Sequence, residues 1–132
     1  MWWMLLMACG SGPSTPPVSA PTEPTVSLQT RTDVDVQTLK AALEQGARVV
    51  DVRTPEEFAT GHVPGALNVP VDAVDPMNEQ LQSLGKENPV YFICAKGGRS
   101  ASAADELAAA GFKAMNVTGG TDAWRAAGLP LE

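Results

Sequence analysis

The run Val90-Tyr91-Phe92-Ile93 has no charged position and stops abruptly at the loop Cys94-Ala95-Lys96-Gly97-Gly98-Arg99. It is too short for a helix, and its apolar, aromatic and β-branched content suits a strand buried on both faces. From Ser100 to Ala110 the chain is mostly alanine around Leu107, and it reaches Gly111. That stretch reads as a helix whose small side chains allow close approach to a sheet, with the glycine as its stop. A strand covered on both faces needs layers on either side, so the rest of the chain must supply them.

It does so by alternation. Val36, Leu39, Ala42 and Leu43 recur at helical spacing between Asp35, suited to cap the start, and Gly46, suited to end the turn. Val49-Val50-Asp51-Val52 reads as a second buried strand. Thr54-Pro55-Glu56-Glu57 then gives an N-cap, a proline at the first helical position and the glutamate of a capping box, opening a short helix to about Thr60. Ala66-Leu67-Asn68-Val69 reads as a strand, Asp75-Pro76 opens a helix that runs to Gly85, Ala114-Met115-Asn116-Val117 is a last strand, and Asp122 to Ala127 a last helix before Gly128 and Pro130. Strands alternating with helices define an α/β protein with a parallel sheet covered on both faces.

With 132 residues, of which about the first thirty are atypical, there is room for one domain of about 100 residues. An apolar share of 44% is enough for that domain to bury a core. The net charge of −6 and the thin spread of Lys and Arg argue against a nucleic-acid partner. Cys9 and Cys94 are the two cysteines, and their separation fits neither a disulfide framework nor a Cys-x-x-Cys metal pair.

Residues 1–8, Met-Trp-Trp-Met-Leu-Leu-Met-Ala, are apolar but far short of the ~20 residues that span a bilayer. Leu6-Met7-Ala8-Cys9-Gly10 resembles the lipobox of bacterial lipoproteins, although no Lys or Arg precedes Cys9. The resemblance implies a short signal peptide over 1–8 and a lipidated Cys9. Residues 10–27 are dominated by Pro, Ser, Thr and Gly, which favours an extended, solvated chain. The expected organisation is therefore a signal over 1–8, a lipidated cysteine and tether over 9–30, and a folded domain over 31–132. Its expected location is the extracytoplasmic face of a bacterial envelope membrane, where two acyl chains would hold it stably.

Cys94 stands where a strand ends and a helix soon begins, the edge of an open α/β sheet at which ligands bind. A loop curling there turns successive N–H groups inward, reinforced by the helix dipole, and Gly97 and Gly98 permit the positive φ angles of such a curl. Lys96 and Arg99 add two cations. Each influence favours thiolate over thiol, making Cys94 a candidate nucleophile near neutral pH.

The stretch Cys94-Ala95-Lys96-Gly97-Gly98-Arg99-Ser100 resembles the Cys-x-x-Gly-x-Arg-Ser active loop of the rhodanese family. Asp51-Val52-Arg53 with Pro55-Glu56-Glu57-Phe58, then Gly61-His62-Val63-Pro64-Gly65-Ala66, resembles its first signature, and Gly119-Gly120 with Trp124 and Gly128-Leu129-Pro130 its last. Together they cover about residues 32–131 in family order. The resemblance implies a three-layer sandwich on a five-stranded, mainly parallel sheet, and a sulfurtransferase without metal or organic cofactor. In such a cycle Cys94 takes sulfur from a small anionic donor such as thiosulfate, holds it as a persulfide, and passes it to cyanide or a thiol, a protein thiol included. The amides of Ala95, Lys96, Gly97, Gly98 and Arg99 would then stabilise the persulfide and the leaving sulfite.

Other roles stay in view. A persulfide carrier or redox-sensing module would use the same cysteine without turnover on small donors. Phosphatases and arsenate reductases use Cys-x5-Arg, one residue longer than the four between Cys94 and Arg99, and Ile93 stands where the tyrosine-phosphatase motif has His. Asp51 and Arg53 either contact the active loop or pair with each other to brace it. His62 is expected to make a structural hydrogen bond in its turn, and Trp124 to pack.

Overall fold

The computed structural model describes residues 31–132. Cys9, the leader over 1–8 and the tether lie outside the described residues. The chain runs through β1 (Thr32–Val34), α1 (Val36–Glu44), β2 (Arg48–Asp51), α2 (Pro55–Ala59), β3 (Leu67–Asn68), a 3-10 turn (Val71–Ala73), α3 (Glu79–Gln82), β4 (Val90–Ile93), α4 (Gly98–Ala109), β5 (Ala114–Val117) and α5 (Gly120–Ala126). The five strands lie in the order β1-β5-β4-β2-β3 and every pairing is parallel.

Alternation along the strands divides the core in two. Val50 and Phe92 face the alanine-rich side of α4, packing with Ala103, Ala104 and Leu107. Val49, Tyr91 and Ile93 face the opposite layer, with Leu39 of α1 and Trp124 of α5. All four residues of β4 are buried, as a middle strand between two helical layers requires. The indole of Trp124 packs in this second layer and donates to the Pro130 carbonyl at 2.6 Å.

The helix expected from Asp75 to Gly85 is the main correction. Only Glu79–Gln82 is helical. The Asp75 carboxylate accepts from the Met77 amide at 2.7 Å, closing a turn, and the cap passes to Asn78, which accepts from the amides of Gln80 and Leu81. A side chain that satisfies backbone donors outside a helix competes with the helix, and here the local turn wins. β1 is the strand that the hydropathy pattern does not reveal: three residues, none buried, held by pairing Asp33 with Asn116 and Val34 with Val117 of β5.

Candidate active site

β4 ends at Ile93, and the chain folds over its end into α4. Gly97 is the N-cap of α4 at φ +107°, a left-handed conformation that turns its own amide back toward the cysteine. The Gly97 and Ser100 amides donate to Cys94 Sγ at 3.0 and 3.4 Å. The loop is anchored from the other side by α5, where the Thr121 amide donates to the Cys94 carbonyl at 2.7 Å and the Asp122 amide to the Ala95 carbonyl at 3.0 Å. Gly120, at φ +59°, lies so close beneath this loop that a Cβ there would sit 2.5 Å from the Ala95 oxygen. Gly120 thus has a definite task, which is to let α5 approach the Cys94 backbone, while Gly119, at φ +79°, makes the left-handed N-cap of α5 and leaves room for Ala123.

Burial pushes the Cys94 thiol up, while hydrogen bonds from the Ser100 side chain and from the amides of Ser100, Gly97 and Lys96 outweigh it and hold the group below its ordinary value. The sulfur therefore lies at the start of a helix with N–H groups aimed at it, an arrangement that stabilises a localised negative charge.

The two cations of the loop differ in their surroundings. Lys96 is exposed, and among the described residues no carboxylate pairs with it. Arg99 is clasped by Glu57 of α2 through two parallel bonds of 2.8 and 3.0 Å. Glu57 also closes the capping box of α2, accepting from the Thr54 amide at 3.1 Å. Arg99 and Thr54 together hold the Glu57 carboxyl far down, at about 2. The capping box was visible in the sequence, but the clasp on Arg99 was not, because it joins residues 42 apart.

Asp51 and Arg53 face each other rather than the active loop. Their side chains pair at 2.7 Å in the interior, Arg53 reaches on to the Gly61 carbonyl at 2.7 Å, and the Asn68 amide donates to the carbonyls of Asp51 and Arg53. This network ties the end of β2 to β3 and to the turn before His62. His62 stacks on Phe58 and its Nδ1 lies 3.0 Å from the Phe58 carbonyl. Behind the sulfur, the Ser100 hydroxyl donates to Asn116 Oδ1 at 2.6 Å. Asn116 was read only as a strand residue. Among the described residues no cluster of three His, Cys, Asp or Glu side chains is placed to hold a metal ion.

A buried cysteine at the tip of a middle parallel strand, faced by helix amides and seated on a second helix, defines an amide-lined sulfur cradle on an α/β sandwich. The family model of the rhodanese-like domain matches residues 35–127, and the chain belongs to that family. Its relatives include a chloroplastic thiosulfate sulfurtransferase of Arabidopsis thaliana, 39% identical over an alignment of 97 residues, with 66% of this chain and 81% of the relative covered. Thiosulfate sulfurtransferase GlpE of Pseudomonas putida is 35% identical over 68% of this chain and 80% of its own. Among solved structures, a human single-domain sulfurtransferase superposes with a TM-score of 0.63 at 30% identity, covering 71% of this chain and 95% of that one.

Proposed function

We propose that the protein is a sulfurtransferase that moves sulfane sulfur from a small anionic donor of the thiosulfate type to a thiophilic acceptor, through a persulfide on Cys94. The observation that carries this reading is the pair of amides, Gly97 and Ser100, directed at Cys94 Sγ. The thiolate attacks the outer sulfur of the donor, a new S–S bond forms, and the S–S bond to sulfite breaks with its electron pair leaving on sulfite. The acceptor, cyanide or a thiolate, then attacks the terminal sulfur, and Cys94 Sγ departs as thiolate with the pair of the bond that breaks. The amides of the loop stabilise charge in both steps. Lys96, exposed at the rim, attracts the donor although the chain as a whole is acidic. Arg99 fixes the loop to α2 through Glu57 and adds positive potential near the sulfur.

Thiocyanate formation from thiosulfate and cyanide tests the reading. Wild type is expected to turn over and Cys94→Ser to be inert. Wild type that is folded yet no more active than Cys94→Ser would sink it. We also propose that Cys9 carries a lipid anchor and that the domain works on the extracytoplasmic side of a bacterial membrane. The lipobox-like Leu6-Met7-Ala8-Cys9 and the Pro/Ser/Thr-rich stretch behind it support this.

A further inference from the structure

Two of the cations around the sulfur are already engaged. Arg53 is buried against Asp51. Arg99 follows the first residue of α4, and the amide of the next residue, Ser100, points at Cys94 Sγ. Its Nη1 and Nη2 donate to Glu57 Oε1 and Oε2 at 2.8 and 3.0 Å. That planar fork is the one with which arginine otherwise grips an anionic ligand. Glu57 is fixed from its own side as well, since the Thr54 amide and hydroxyl meet Oε1 at 3.1 and 3.2 Å. Both side chains of the clasp are partly exposed, so solutes reach a pair whose charges cancel. Lys96 is exposed and, among the described residues, no carboxylate pairs with it.

The loop therefore offers an anion its amides and one uncompensated cation. Sulfur donors differ in how much more they need. Thiosulfate is a dianion and releases sulfite, also a dianion. A thiosulfonate, R–SO2–S⁻, carries one charge and releases a sulfinate with one. In both, the Cys94 thiolate bonds to the outer sulfur and the S–S bond breaks with its electron pair leaving on sulfite or sulfinate. The amides aimed at the sulfur serve both donors alike, whereas the second charge calls for a second cation. We infer that Glu57 is a specificity-determining residue which, by occupying the guanidinium fork of Arg99, withholds that cation from the donor and tilts the site toward singly charged sulfur donors. This inference rests on the reading of Cys94 as the nucleophile that takes up sulfur.

The test uses the full chain, with thiosulfate and methanethiosulfonate as donors and cyanide as acceptor near neutral pH. In a ping-pong cycle kcat/KM for the donor reports the first half-reaction alone. Glu57→Gln, which keeps an acceptor for the capping box, is expected to raise the ratio of kcat/KM for thiosulfate over methanethiosulfonate about three- to tenfold. A merely structural loss lowers both donors together and leaves the ratio unmoved. Glu56→Gln, an exposed neighbour on α2 outside the clasp, is expected to leave the ratio as it is, and so is Glu57→Gln in an Arg99→Gln background. An unmoved ratio in Glu57→Gln, an equal rise in Glu56→Gln, or a full rise without Arg99 overturns the inference. A second measurement needs no turnover. With Cys9→Ala, so that Cys94 is the one thiol, sulfate and methanesulfonate are compared for protection of Cys94 against iodoacetamide. Glu57→Gln is expected to shift protection toward sulfate by a similar factor, and no shift, or no protection by sulfate in that variant, overturns the inference. Wild type inert toward both donors would instead remove the sulfurtransferase reading, and the protection ratio then decides the charge preference by itself.

Discussion

Glu57 has two tasks at once, closing the N-terminus of α2 and holding Arg99 in place. Their separation is measurable. Glu57→Gln keeps an acceptor for the capping box but loses the charged fork on Arg99. Both partners are more than a third exposed, so the loss is expected to be about 1 kcal/mol or less at pH 7 in urea melts. The sign with pH follows from the carboxyl held down to about 2 against an ordinary 4.5. The native state favours the ionised form, so the contribution is complete above 4.5 and fades as pH falls from there toward 2. The gap between wild type and Glu57→Gln should close over that window. A gap that stays constant down to pH 2 would show that the interaction does not depend on ionisation. At this scale the sequence showed the cap but not the clasp, and Cys94 but not the Ser100–Asn116 bond behind it. Local spacing reveals partners three or four residues away, whereas Arg99 and Asn116 meet theirs only once the sheet has formed.

At the scale of elements, the site is a strand end, the amino end of α4 and the seat provided by α5. Gly120→Ala tests the seat. Its Cβ would run into the carbonyls of Cys94 and Ala95 and would have to adopt φ +59°. A cost on the order of 2 kcal/mol or more is expected in thermal or denaturant melts, together with a loss of sulfur transfer larger than the loss of folded protein. Full transfer by folded Gly120→Ala would show that the loop tolerates displacement. The buried strands and α4 were legible because period and composition agree. β1 was not, because Thr32-Asp33-Val34 has no buried residue and takes strand geometry from β5 alone. The helix expected over 76–85 shrank because Asp75 and Asn78 offer the backbone other partners.

At the scale of the whole molecule, the lipid attachment proposed for Cys9 is open to a direct test. Metabolic labelling with a radioactive fatty acid in a bacterial host is expected to mark wild type and leave Cys9→Ala unmarked. An unmarked wild type would remove the anchor. The envelope setting would also expose the sulfur to oxidants, against which its 2% exposure is a partial shield. The placement of β1 adds something mechanical. It lies at the sheet edge, bonded to β5 alone, and residues 1–30 join the domain on its side. Tension entering from there loads β1 first, together with the grip of Arg31 on Asp105. Peeling β1 away would carry off Asp33 and release the Asn116 amide, which holds the Ser100 hydroxyl behind the buried sulfur.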